Sequence, residues 1–558
     1  MSRTLFWYVF KDLLRIFFMA SGAIAAIMSF GGLLRPLTQN GLGSAQVLQL
    51  LGYFMPAMST YSLPVAALFA TTVVYGRMAA DNEQTACRAS GISFLAMAAP
   101  AVLLGLLVSV GSMYMLCFTV PDCTAKIEQT IKSNLARYIA HEIDQTHEAK
   151  FGKDDKVTVY AQSAELSPPD PQHPNRQAVV LHGPLIVSAY TPPDRPNWFH
   201  VAKEFWTART AVAYVQENPD DGSAMLTATL NDGIVFPRRF TDPKARQGGM
   251  GTAQFGPIQL PPRMGQKTKF MNIFQLKQLE KDPTRGQEVK QVTADFIKED
   301  QANAFCKSLA DDLAAGGQCV LQTGNDTYTL TSRGAAVNVR DNTITLTAAA
   351  GGKSPRFRQS SSGQTRLNAE ARTIRLTADA DTPNDQFYIS IDLKNALVDA
   401  GDMPSPQADF SRRLVLAMSP AIAAMKTRTA GQYLNSAVRP EKDRQHLLFA
   451  WVDLVNHIRS EMHARAAFVV SCLLLVLVGA ALGMMFKSGN FLTAFAVSVI
   501  PALFSTVLIV TGQHTAESTP NIVTLLNNPL AAGVTLIWTG NVVIGLAAVA
   551  LLWRLQRQ

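Results

Sequence analysis

Recognisable catalytic chemistry is missing from this sequence. Its six cysteines, Cys87, Cys117, Cys123, Cys306, Cys319 and Cys472, include no CxxC pair and no cysteine and histidine set at zinc spacing. The nine histidines show no metal spacing of their own. Gly-x-Ser-x-Gly does not occur, and His141-Glu142 lacks a second histidine four residues after the first, where Gln145 stands. The nearest approach to a phosphate loop, Gly351-Gly-Lys-Ser354, has Thr347 where the leading glycine belongs. No catalytic residue, metal ligand or bound cofactor is therefore expected in this chain. A formal net charge of +8 invites a nucleic-acid reading, but no Lys/Arg cluster interleaved with aromatics accompanies it, and no nucleic-acid partner is expected.

Charge is also scarce at both ends of the chain. Charged residues make up 16% of the whole, but they are concentrated in the middle. A helix that crosses the hydrocarbon layer needs about 20 largely apolar residues, because lipid cannot satisfy an unpaired backbone group. Six segments qualify: Ile16 to Leu34, Val47 to Gly76, Phe94 to Val120, Ala466 to Phe486, Phe491 to Thr511, and Leu530 to Trp553. The arrangement is three plus three around a long polar middle. Pro56 and Pro64 fall inside the second segment as expected kinks.

Lys and Arg in the short connections set the expected orientation. Arg3, Lys11 and Arg15, then Arg77 and Arg88, then Lys487, then Arg554 and Arg557 all fall on one side. The opposite short loops hold Arg35 alone, and residues 513–528 contain Glu517 and no Lys or Arg. Both termini are thus expected in the cytoplasm and the middle region outside a cell inner membrane. A basic start followed by an apolar run also describes a cleaved signal peptide, but the run is long and a further span follows after a short turn. Ser2 to Leu14 reads as an amphipathic interfacial helix ahead of the first span.

The middle turns helical from Lys126 to Glu148 and then alternates with period two, as in Lys156 to Tyr160, Ala178 to His182, Leu226 to Leu230, Thr327 to Thr331, Asn342 to Thr347 and Ile374 to Thr377. Thr241 to Gly265, rich in Gly, Pro and Gln, is expected to be a loop, and Thr293 to Ala315 an inserted helix. Beyond Pro404 the chain is helical again, with Leu447, Trp451, Leu454, Ile458 and Met462 on one stripe. The fold expected is an α-helical membrane protein carrying an inserted extracytoplasmic, mainly-β, jelly-roll-like domain. Residues 1–120 form the first membrane half, 121–463 the outer domain and 464–558 the second half. Cys306 and Cys319 lie in that exported region, where they form either a disulfide or two unpaired small hydrophobes.

Between spans two and three, Asp81 can cap a short helix, residues 81–90, with Gln84 reaching back in a capping box and Gly91 supplying the stop. Glu83 then falls in its first turn and Arg88 in its last, where each suits the helix dipole. Capping alone accounts for these placements.

The run Tyr75-Gly-Arg-Met-Ala-Ala-Asp-Asn-Glu-Gln-Thr-Ala-Cys-Arg-Ala-Ser-Gly-Ile-Ser93 resembles the corresponding segment of the LptF/LptG (YjgP/YjgQ) permeases of lipopolysaccharide export. Leu63-Pro-Val-Ala-Ala-Leu68 upstream and Glu461-Met-His-Ala-Arg465 downstream resemble two more of that family's segments, in the right order. The resemblance implies an ABC exporter in which two such permeases, each with six spans and a periplasmic jelly roll, clamp a cytoplasmic ATPase dimer. ATP would be used by that partner. It further implies a coupling helix at Asp81 to Ser90, with Glu83 as its charged contact and Arg77, Asp81, Arg88 and Gly91 around it. The lipid would be lipopolysaccharide or a related glycolipid, handed to a periplasmic LptC/LptA-like bridge protein. Arg35, at the outer end of span one, would meet the lipid's phosphates or serve as an interfacial anchor. Glu461 and Arg465 stand one helical turn apart, an ion pair that would be worth little if partly exposed. Thr241 to Ala315 and Asp409 to Ser460 have no counterpart in the resemblance, and LptF type and LptG type are not distinguished. A mechanotransmission or scaffold protein driven by an ATPase is the alternative.

Overall fold

The computed structural model describes residues 3–39, 44–132, 135–151, 157–167, 176–190, 201–217, 224–237, 248–260, 267–323, 326–331, 336–340, 342–347, 354–361, 364–382, 385–399, 404–435, 441–485, 491–518 and 528–557. The first membrane half contains α1 (Arg3–Gln39), α2 (Ser44–Ala80), the short α3 (Glu83–Ala89) and α4 (Phe94–Tyr114), which runs through a π turn at Met115–Thr119 into α5 (Val120–Lys132). The expected interfacial helix and first span are one continuous helix, because neither Gly nor Pro interrupts Arg3 to Ser21. Both Pro56 and Pro64 sit inside α2.

The polar middle is mainly β, as its alternation requires, but it is built as two antiparallel sheets and not as one. The first follows α6 (Leu135–Thr146) and comprises β1 (Glu148–Phe151), β2 (Val157–Tyr160), β3 (Ser163–Leu166), β4 (Arg176–His182), β5 (Leu185–Tyr190), β6 (Val201–Thr207), β7 (Thr210–Glu217), β8 (Ala224–Pro237) and β9 (Gly248–Leu260). Its order is β1-β2-β5-β6-β8-β7-β4-β3, with β9 paired to the other edge of β8. Ala136, Ile139, Ala140 and Ile143 of α6 fill its core together with Val179, Leu181, Ile186 and Leu230. The loop expected over Thr241 to Gly265 is instead occupied by β9. Backbone pairing with β8 overrides composition there, and Gly256-Pro257 fall at the bulge opposite Thr227, where proline's missing N–H is tolerated.

After α7 (Ile273–Lys281), which is closed by a reciprocal Asn272 and Gln275 capping box, α8 (Gln287–Gly316) leads into the second sheet. Its strands are β10 (Gln318–Thr323), β11 (Asp326–Thr331), β12 (Ala336–Arg340), β13 (Thr343–Thr347), β14 (Arg356–Ser361), β15 (Gln364–Asp381), β16 (Gln386–Asp399) and β17 (Pro404–Ala417). Thr323 Oγ1 donates to the Val415 carbonyl at 3.3 Å, so β10 meets β17 and the sheet nearly closes on itself. Cys306 and Cys319 are both free and buried in this core. They behave as small hydrophobes, and burial pushes their thiols up to about 11 and about 12. The disulfide reading is thereby corrected.

Short helices α9 (Pro420–Ala423) and α10 (Ala430–Asn435) precede the second membrane half, which consists of α11 (Glu441–Met485), α12 (Phe491–Ala516) and α13 (Pro529–Arg557). Among the described residues six helices are long and apolar enough to cross a membrane. By contact the chain divides into two units: residues 1–238, 247–282 and 453–558, which hold the membrane helices and the first sheet, and residues 239–246 and 283–452, which hold the second.

Within the membrane helices the hydrophobic effect does not discriminate protein from lipid, so close approach and internal hydrogen bonds carry the packing. Gly512 and Gly533 face each other between α12 and α13, and a Cβ built on Gly533 would stand 2.5 Å from Ala516 Cβ. Gly479 and Gly483 bring α11 against Thr71 and Tyr75 of α2 in the same way. Ser471 Oγ donates to Asn541 Oδ1 at 2.6 Å and lies 3.1 Å from Ser505 Oγ, while Asn541 Nδ2 donates to the Ala467 carbonyl at 2.8 Å. This cluster joins α11, α12 and α13 with their polar groups satisfied.

Gly533→Val should destabilise the purified protein by about 1–3 kcal/mol, the usual cost of overpacking. Thermal unfolding in detergent checks this against Gly22→Ala, where a Cβ meets nothing within 4 Å. Cys306 and Cys319 should resist maleimide at pH 8 in the folded chain and react on denaturation without any reductant. A reductant requirement, read by mass spectrometry, would restore the disulfide.

Candidate functional site

The chain leaves α2 by a tight turn in which the Asp81 N–H donates to the Arg77 carbonyl at 2.9 Å. Asn82 then adopts a left-handed backbone, φ 58°, and stands immediately before α3 with no side-chain cap. The expected capping box of Asp81 and Gln84 is therefore not formed. Asparagine tolerates the left-handed turn that a close helix pair demands, and Gln84 is spent as a buried anchor, 6% exposed. The other end is as the sequence implied. Gly91, φ 80°, donates to the Arg88 carbonyl at 2.9 Å and Ile92 donates to the Cys87 carbonyl at 3.1 Å, a complete Schellman stop. Ser93 then caps α4 by accepting from the Ala96 N–H.

Charged groups hold this corner in place. Arg77, on the last turn of α2, pairs with Asp12 of α1. Arg88 lies over the ring of Phe94 with its guanidinium 4.5 Å from the centroid, which fastens the end of α3 to the start of α4. Asp81, Thr85, Ala86, Arg88 and Ala89 are exposed and Glu83 is half-buried. The outcome is a short, firmly terminated helix whose outer face is small side chains flanked by charge.

A second polar cluster surrounds Glu461 and Arg465 on α11. Arg465 Nε donates to Glu461 Oε1 at 2.8 Å, and the two side chains are only 3% and 10% exposed. The exposed and weak ion pair expected is in fact buried. Gln513 of α12 donates to Glu461 Oε2 at 2.9 Å, and Arg465 Nη2 donates to the Lys269 carbonyl at 3.0 Å. Beside Glu461, Ser460 donates to Glu517 at 2.9 Å, and His457, one turn earlier, stands 3.6 Å from the same carboxylate. Gly483 abuts Tyr75 and Gly76, so the far end of α11 shares a side with α3. Glu461 lies 22 residues before Gly483, about 33 Å along the helix, toward the opposite side. The two clusters therefore cap the bundle at its two ends.

The profile of the lipopolysaccharide export system permease LptF/LptG family matches residues 7–166 and 331–554, which include every side chain of both clusters named above but not Lys269. The chain belongs to this LptF/LptG permease family. No curated protein matches it. Membership makes the protein a membrane-bound transport component of lipopolysaccharide export. The match runs through Asp409 to Ser460, contrary to the expectation that this stretch has no counterpart, and omits Thr241 to Ala315.

Of the residues singled out in this LptF/LptG permease, Arg77, Asp81, Glu83, Arg88 and Gly91 gather at α3, and Glu461 and Arg465 pair at the other end. Arg35 lies on α1, and its side chain is outside the described residues. Asp12, Gln513 and Glu517 belong to these clusters and escaped notice, because each lies far in sequence from the partner that gives it meaning. Losing one member of a buried pair strands the other, at a cost of about 3–5 kcal/mol. Arg465→Met and Glu461→Gln should each lower stability by about that amount, and the double variant should recover part of it. Denaturant unfolding in detergent measures the cycle.

Proposed function

We propose that this chain is the permease subunit of an ABC transporter that extracts lipopolysaccharide, or a related glycolipid, from the inner membrane and passes it to a periplasmic bridge. The observation that carries the mechanism is α3: exposed, closed by its Schellman stop, and fastened at both ends. A helix that must transmit a push cannot fray: Arg88 and Phe94 fasten α3 to α4, and the turn that leads into α3 leaves α2 beside the Arg77 and Asp12 pair, which ties α2 to α1. Family membership supplies the context in which a cytoplasmic ATPase dimer and a second permease are the partners.

In this reading Glu83 is the charged contact to the ATPase, and the small residues Thr85, Ala86 and Ala89 let the helix seat in a groove. Both termini and α3 are cytoplasmic, following the excess of Lys and Arg on that side, and the β region is periplasmic. ATP-driven closure of the partner dimer displaces α3, and α2 and α4 move with it. The lipid cavity between paired permeases then narrows, with Arg35 at its outer rim meeting anionic phosphates. The lipid passes to the β region and on to an LptC/LptA-like bridge. This chain binds no nucleotide itself.

Glu83→Arg should weaken association with the purified ATPase on the order of tenfold, the effect of about 1.4 kcal/mol, and reduce ATP-dependent lipid release in proportion. Thermal unfolding of the permease alone should not change. Unaltered association and release would remove α3 from the coupling role.

A further inference from the structure

The two sheets share one plan. β6 and β7 are separated by Ala208 and Arg209 alone, and read as one strand they occupy the place of β15. Every pairing then corresponds: β1, β2, β3, β4 and β5 match β10, β11, β12, β13 and β14, while β8 and β9 match β16 and β17. In each sheet one half of the long strand pairs with the fifth strand and the other half with the fourth. The register agrees residue by residue in every pair but the last, β8 with β9 against β16 with β17, where the bulges differ. Ile186 faces Trp206 as Phe357 faces Ala369, and Leu230 faces Ala211 as Leu393 faces Ile374.

Irregular features coincide as well, and these are harder to obtain by chance than strands. Ala208-Arg209-Thr210 recurs as Ala371-Arg372-Thr373 at the middle of the long strand. The Ala208 N–H donates to the Pro184 carbonyl at 3.2 Å, and the Ala371 N–H donates to the Pro355 carbonyl at 3.1 Å. Asp232 and Asn395, at equivalent points of the next strand, are both left-handed, with φ of 54° and 51°. So are His147 and Gly317, φ 56° and 66°, which end the helix of each copy by donating to Ile143 and Leu313. Those two helix residues lie six positions before Ala149 and Cys319, which occupy the same place in the first strand.

Chemistry inside is shared too. The first core holds a small cavity of about 10 Å³ lined by apolar side chains, among them Ile143, Phe151 and Ile186. Their equivalents Leu313, Leu321 and Phe357 are apolar and buried. The family match leaves off at Leu166, the last residue of β3, and resumes at Thr331, the last residue of β11, ahead of β12, which is the equivalent of β3. The matched residues thus hold every strand of one module, with β3 and β12 both present, and the unmatched residues hold the other strands of the second.

We propose that this permease carries two in-register copies of a single helix-and-sheet module, interchangeable strand for strand. Removing Glu165 to Val337 joins Ala164 to Asn338 at equivalent positions and leaves one complete hybrid module. In membranes expressing the full complex this variant should accumulate near the wild-type level and unfold cooperatively. A deletion of Glu165 to Ser354, which also removes β12 and β13, should be degraded. If both deletions are degraded alike, the copies are not interchangeable and the duplication is refuted.

Discussion

Everything in the membrane half of this protein answers to one constraint: hydrocarbon offers no hydrogen bonds. The backbone meets it by remaining helical across six long segments. Side chains meet it by pairing inward. The Ser471, Ser505 and Asn541 cluster and the Tyr75 hydroxyl, which donates to the Met97 carbonyl at 2.8 Å, each tie neighbouring helices with bonds that lipid cannot replace. Such bonds are short-ranged and need helices that approach closely, so glycine lies opposite glycine between α12 and α13. Rigidity of the bundle follows, and the coupling role proposed for α3 depends on it.

The spans were legible because twenty apolar residues in a row have few other interpretations. The stop at Gly91 was legible because few residues tolerate its backbone angle. The start of α3 was not, since Asp81 and Asn82 both suit a cap, and only the approach of α2 reveals which of them must turn left-handed. Glu461 and Arg465 were visible as a pair one turn apart, but their burial depends on Gln513 and on Lys269, and no local pattern announces either. Composition misled at β9, where pairing partners on β8 decide the conformation. At Cys306 and Cys319 the sequence left a disulfide and two unpaired hydrophobes open, and packing makes them two separate parts of one core.

The oversized middle was a difficulty for any single-domain reading, and duplication removes it. Its sequence signal is nearly gone, surviving at full strength in the Ala-Arg-Thr triplet and in Pro184 and Pro355, whose carbonyls accept from the triplet's alanine. Cores tolerate exchange of one apolar residue for another of similar bulk, so identity fades while volume and polarity stay. Backbone angles fade more slowly, because a left-handed residue admits few substitutes. That is why the repeat is plain in strand register and in φ and faint in letters.

Arg465 has one further consequence. Its carboxylate partner sits on its own helix, but its second nitrogen holds the backbone at Lys269, 196 residues away in sequence. Lys269 lies in the stretch that connects the first sheet to α7. Through that guanidinium α11 is fastened to a segment that the chain itself joins to it only by way of the whole second sheet.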